Sequence, residues 1–140
     1  MPTRILIADD DPTIRLLLRR LLEKQPDWEV CGDASTGAEA IKKVEQLDPD
    51  VVVMDLGMPV MTGLQAAPEI AKAHPPLPML LISVQEVSRQ LALEARKAGY
   101  RGAVTKSRGN EVLRGIEALL QHESFFYADD GSSIPVQTSL

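Results

Sequence analysis

Five polar residues in this sequence stand directly after short apolar runs. Asp9 and Asp10 follow Ile5-Leu6-Ile7-Ala8, Asp55 follows Val51-Val52-Val53-Met54, Ser83 follows Met79-Leu80-Leu81-Ile82, and Lys106 follows Ala103-Val104-Thr105. Brought into one pocket they are three acids, a hydroxyl and an amine. Clustered carboxylates repel, which raises their affinity for protons unless a cation removes the penalty. Two or three carboxylate oxygens, a backbone carbonyl and several waters make the incomplete oxygen shell that Mg2+ accepts, whereas Ca2+ takes more protein ligands. His74 and His122 are isolated and Cys31 stands alone, so zinc or copper spacing is missing. Beside Mg2+, one already ionised carboxylate can attack a phosphoryl group and become an aspartyl phosphate. Phosphoryl transfer asks for alignment and charge neutralisation, which a lysine and a hydroxyl donor supply.

Each residue also has an ordinary reading. An Asp after a strand is often a helix cap, and Asp11 before Pro12 is assigned that role. Ser83 alone is a common strand-end residue, and Lys106 alone a solvated charge. Asp55 precedes Leu56-Gly57-Met58-Pro59, with no evident amide to cap. The joint placement of all five favours a site.

The elements that must position them are legible in the apolar pattern. Continuous apolar runs without alternation mark strands buried on both faces, and Trp28-Glu29-Val30-Cys31, which alternates, reads as an edge strand. Between the runs the period becomes helical. Ile14, Leu17, Leu18, Leu21 and Leu22 form one stripe; Ile41, Val44 and Leu47 follow a box at Thr36 and Glu39; Leu64, Ala67, Ile70 and Ala71 follow one at Thr62 and Gln65. Pro68 is expected to kink that third helix. A fourth helix is expected over Glu86 to Ala98, stopped by Gly99, and a fifth carries Val112, Leu113, Ile116, Leu119 and Leu120. Strand and helix alternating five times predict an α/β, doubly wound (βα)5 domain with a parallel sheet. Open parallel sheets collect functional groups past the carboxyl ends of their strands, where all five polar residues fall.

Composition bounds the remaining choices. The 140 residues suit one domain, 44% hydrophobic and 25% charged as in globular proteins. A net charge of -5, with no basic cluster, disfavours binding to a nucleic-acid backbone. A single cysteine fits a reducing cytoplasm, three acids after four apolar residues abort a signal-peptide core, and no apolar run is long enough to span a membrane. From Glu123 the pattern breaks, so residues 1–122 read as the domain and 123–140 as a tail or linker.

Four stretches carry a resemblance: Ile5-Leu-Ile-Ala-Asp9-Asp10-Asp11-Pro12, Val53-Met-Asp55-Leu-Gly-Met-Pro59-Val-Met-Thr-Gly63, Leu81-Ile-Ser83 and Val104-Thr-Lys106. Together they resemble the receiver domain of two-component response regulators over residues 3 to about 122. Ser107 after the lysine makes the chain similar to the NarL/FixJ (LuxR-type) subfamily. The resemblance implies a flavodoxin-like five-stranded sheet of order 2-1-3-4-5, and a phosphoacceptor rather than an enzyme, with at most self-phosphorylation from small donors and self-dephosphorylation. It implies Asp55 as the acceptor. Asp10, Asp55 and the backbone carbonyl of Gly57 would hold Mg2+, with Asp9 acting indirectly, and Ser83 and Lys106 would bind the phosphoryl group and switch. The implied partners are a sensor histidine kinase, a second copy of the chain, and DNA only through a helix-turn-helix domain outside this sequence; no membrane is implied.

Two positions depart from the family pattern. Ala103 stands where an aromatic ring commonly reports the switch, with Tyr100 nearby but with no geometric reason in the sequence to replace it. Val84, where a small residue is usual, is expected to narrow the approach to Asp55. These departures motivate an alternative, a protein-interaction module on the same fold with an impaired phosphorylation cycle. A metal-dependent small-molecule phosphatase ranks behind both, because the second acid it needs two residues after the nucleophile is here Gly57.

Overall fold

The computed structural model describes residues 2–126. Its elements run β1 (Thr3–Ala8), α1 (Pro12–Glu23), β2 (Trp28–Ala34), α2 (Gly37–Leu47), β3 (Val51–Asp55), α3 (Gly63–Ala73), β4 (Met79–Ser83), α4 (Arg89–Ala98), β5 (Gly102–Thr105), α5 (Gly109–Leu120) and β6 (Phe125–Phe126). All strand pairs are parallel, in the order β2-β1-β3-β4-β5-β6.

The central strands are apolar throughout because helices cover both faces. Leu6, Ala8, Val52, Met54 and Leu81 point to the side of α2, α3 and α4; Ile5, Ile7, Val51, Val53, Leu80 and Ile82 point to α1 and α5. Successive residues of a strand face opposite ways, so one apolar run fills two cores. Asp11 caps α1 through the amides of Thr13 at 2.9 Å and Ile14 at 3.4 Å, with Pro12 at the start of the helix. Thr62 and Gln65 form a complete capping box on α3. At α2, Thr36 accepts from the Glu39 amide while the Glu39 carboxylate takes the Ser35 amide instead.

Helix α3 is continuous from Gly63 to Ala73 with Pro68 inside it, the ring standing in solvent. Three details differ from the sequence expectations. Helix α4 starts at Arg89, because Ser88 Oγ captures the Leu91 amide and fixes the cap there. Leu17 is exposed, while Leu18 and Leu22 make the buried contact of α1.

The third difference is the largest: the sheet has six strands, not five. After α5 the chain turns at His122 (φ 64°), and Phe125–Phe126 pair with Gly102 and Ala103 of β5. Phe125 joins the α5-side core and Phe126 the α4-side core. Small residues make the room. A Cβ on Gly102 would meet the Phe125 carbonyl oxygen at 2.8 Å, and one on Gly115 would meet the Phe125 ring at 3.2 Å. Each buried Phe contributes roughly 1.5–3 kcal/mol. The rest of the segment expected as a tail, residues 127–140, lies outside the described residues.

Candidate phosphoryl-acceptor and metal site

The carboxyl ends of β1, β3, β4 and β5 bring Asp9, Asp10, Asp55, Ser83 and Lys106 to one edge, around a cavity of about 400 Å³. Asp10, Asp55, Leu56, Gly57, Ser83, Val84 and Lys106 are among its lining residues. Asp9 is fully buried beneath it and Asp55 is 4% exposed, whereas Asp10 is open to solvent.

Lys106 joins the two buried acids. Its ammonium stands 2.7 Å from Asp9 Oδ2 and 3.0 Å from Asp55 Oδ1. Burial lowers the affinity of the Lys106 amine for its proton, but Asp9 and Asp55 together outweigh that and hold its pKa above the ordinary lysine value. Burial pushes the Asp55 carboxyl above the ordinary carboxylate value; Lys106 opposes this and the Asp9 charge adds to it. Asp9 is further fixed through Oδ1, which accepts the Asp11 amide at 2.9 Å, and through its carbonyl, which accepts from Arg15 at 2.7 Å. Arg15 is in turn oriented by Asp33, 3.5 Å away.

The residues fit a small divalent cation. Carboxylate oxygens of Asp9, Asp10 and Asp55 lie within 4.8 Å of one another. Asp9 Oδ2 is fully buried at this edge and is held there by the Lys106 ammonium. All-oxygen donors of this kind suit Mg2+ rather than zinc.

Two loops flank the cavity. The β3–α3 loop is tied at several points: Leu56 N–H donates to Ile82 O at 2.9 Å, Gly63 N–H to Leu56 O at 3.2 Å, and Gly37 N–H to Met61 O at 3.1 Å. Val60 takes a φ of 66° in a tight turn closed by Met61 N–H to Pro59 O, a strained conformation for a β-branched residue. On the other side, Ser83 is buried and its Oγ accepts the Gln85 amide at 3.2 Å. Val84 turns outward, 81% exposed, so it borders the cavity without closing it.

Ala103 lies in the core opposite Phe126 rather than at the cavity. Tyr100 is only 1% exposed, and its hydroxyl donates to the Gly63 carbonyl at 2.8 Å, behind Asp55. Tyr100 thus does not stand in for an aromatic side chain at position 103, but it reaches the start of α3. The available signal was an aromatic residue just before a small-residue strand. Arg15 was also missed, because its carbonyl partner has no signature in side-chain spacing.

A family profile described as the response regulator receiver domain matches residues 5–117. The chemotaxis protein CheY of Thermotoga maritima is 37% identical over 119 residues, spanning 85% of this chain and 96% of that protein. A protein-glutamate methylesterase/protein-glutamine glutaminase of Methanosarcina mazei is 38% identical over 118 residues, 84% of this chain; the chain spans 33% of that relative's length. Among solved structures, a LuxR-family two-component response regulator from Aurantimonas sp. SI85-9A1 superposes with a TM-score of 0.86 at 33% identity, covering 93% of this chain and 92% of that one.

Proposed function

The chain belongs to the response regulator receiver family, and from that premise we propose that it is a phosphorylation-dependent switch of a two-component system, with Asp55 accepting a phosphoryl group from a sensor histidine kinase. The observation that carries this reading is the buried Asp55 carboxylate, paired with Lys106 and opening onto a cavity that Ser83 and Asp10 also line.

An Asp55 oxygen attacks phosphorus while the P–N bond to the donor imidazole breaks, its electron pair leaving with nitrogen. No base is needed for an ionised nucleophile. Asp10, Asp55 and the Gly57 carbonyl would hold Mg2+, with Asp9 acting indirectly, and the ion would supply charge neutralisation for the phosphoryl oxygens. Lys106 is placed to hold a second phosphoryl oxygen, and the Ser83 hydroxyl a third. Recruiting Ser83 draws on the β4–α4 loop, and Lys106 on β5, which biases the α4-β5-α5 surface. That surface would pass the signal to an output. Transcription is the output we favour, through a helix-turn-helix DNA-binding domain joined to the receiver, in the cytoplasm. No helix among the described residues is long and apolar enough to cross a membrane.

The outward turn of Val84 supports this reading over the phosphorylation-independent interaction module, because the approach to Asp55 stays open. The test is intact mass after incubation with Mg2+ and acetyl phosphate. A phosphoryl adduct is expected in the natural sequence and absent in Asp55→Asn or without the metal. If neither acetyl phosphate nor beryllofluoride engages the site, the interaction module replaces the switch.

A further inference from the structure

Tyr100 is a buried phenol that the mechanism above does not use. It follows Gly99, whose φ of 114° ends α4, and its amide bonds back to Ala95 O at 3.0 Å, so its backbone is fixed by the helix end. The side chain lies in the core between α3 and α4 and spends its one polar group on the carbonyl of Gly63, 2.8 Å away. Gly63 is the first residue of α3 and the closing point of the acceptor loop. Its amide bonds to Leu56 O at 3.2 Å, one residue after Asp55 and one before Gly57. A Cβ on Gly63 would stand 2.3 Å from the Asp55 carbonyl oxygen and 3.1 Å from the Tyr100 hydroxyl. Gly63 therefore sits against the Asp55 carbonyl on one side and the phenol on the other, with no room for a side chain of its own. Burial, and then the Asp55 charge, hold the hydroxyl well above its ordinary pKa, so it stays a neutral donor.

We propose that Tyr100 is a positioning residue: through the Gly63 carbonyl it sets the backbone geometry in which Asp55 and the Gly57 carbonyl hold a divalent cation and Asp55 receives a phosphoryl group. The inference deepens the switch reading and rests on it for the phosphoryl step; cation binding tests it separately. Groups hydrogen-bonded directly to a ligand typically change metal affinity by 10- to 100-fold when removed, and Tyr100, one backbone step further away, is expected at the low end of that range.

The experiment compares Tyr100→Phe, which deletes one oxygen, with the natural sequence. Calorimetric titration with Mg2+ alone is expected to give a dissociation constant raised roughly tenfold. With acetyl phosphate at saturating Mg2+, the maximal phosphorylation rate is expected to fall while the half-saturating donor concentration stays unchanged. As a second measurement, 3-fluorotyrosine is incorporated in a Tyr127→Phe background, which leaves position 100 as the single tyrosine. Its 19F resonance is expected to move on adding Mg2+. A Tyr100→Phe protein that melts lower yet binds Mg2+ with unchanged affinity overturns the proposal, as does a resonance indifferent to Mg2+. Failure of the natural sequence to engage either acetyl phosphate or beryllofluoride, with the Mg2+ difference intact, rejects the phosphoacceptor reading and leaves the positioning role standing.

Discussion

The two loops that border the acidic cavity are built on opposite principles. The β3–α3 loop, which follows Asp55, is held at Leu56, Met61, Thr62 and Gly63 by neighbouring strands and helices and by its own capping box. It even sustains the strained backbone of Val60. The β4–α4 loop, which follows Ser83, exposes Val84, Gln85 and Glu86; it has a serine-to-amide contact at Gln85, an exposed ion pair from Glu86 to Arg108 at 3.2 Å, the buried Val87 side chain as its core anchor, and the cap at Ser88. A nucleophile and its cation need fixed geometry before the reaction, since reorganisation during it costs rate. In the proposed switch, a loop that answers the new charge needs a low cost of movement, and the exposed stretch Val84–Glu86 supplies it.

The largest effect is expected where both loops meet the same charge network. Lys106→Met leaves Asp9 and Asp55 buried without their cation, which should cost about 3–5 kcal/mol at neutral pH, read by denaturant unfolding. Recovery of part of that loss on adding Mg2+ would sharpen the contrast; no loss at all would show that the acids do not depend on Lys106.

Asp55→Asn is expected to work the other way in metal-free buffer. The folded-state pKa of Asp55 is raised, so its contribution to stability is fully present below the ordinary value of 3.8 and is lost as pH rises through the raised value. The variant, carrying no charge there, should melt a few degrees above the natural sequence near pH 7 and lose that advantage under acid. Equal melting at both pH values would mean that Lys106 fully offsets the burial of Asp55.

Thr62→Ala removes half of the capping box on the acceptor loop and should cost about 1 kcal/mol. Glu86→Gln, in the other loop, cuts an exposed pair and should change stability by less than about 0.5 kcal/mol. Reversal of that order would break the comparison. Hydrogen exchange gives a direct check, with the amides of Leu56 and Gly63 protected and those of Val84 and Glu86 exchanging early.

What the sequence made legible follows the same physics. Ile5–Ala8, Val51–Met54 and Met79–Ile82 announce strands because covered parallel strands must be apolar on both sides, and the polar residues after them then fall on one edge. Asp11 and Thr62 could be read as caps because capping is local. Phe125–Phe126 could not be read as a strand: two residues carry no period, and their place depends on Gly102, Ala103 and Gly115 leaving space. Tyr100 was illegible for a similar reason. Its partner is a backbone carbonyl 37 positions away, and no spacing rule encodes that reach.

Because β6 runs parallel to β5, Phe125 and Phe126 advance in the direction of the edge that holds Asp55. The amino end enters at the opposite edge, through Thr3 at the start of β1. Tension applied at Thr3 and Phe126 would thus act along the strands and load the β5–β6 pair in shear, with its hydrogen bonds resisting together instead of opening one by one. The aromatic pair is in this sense a mechanical clasp on β5, the strand that ends at Thr105, directly before Lys106.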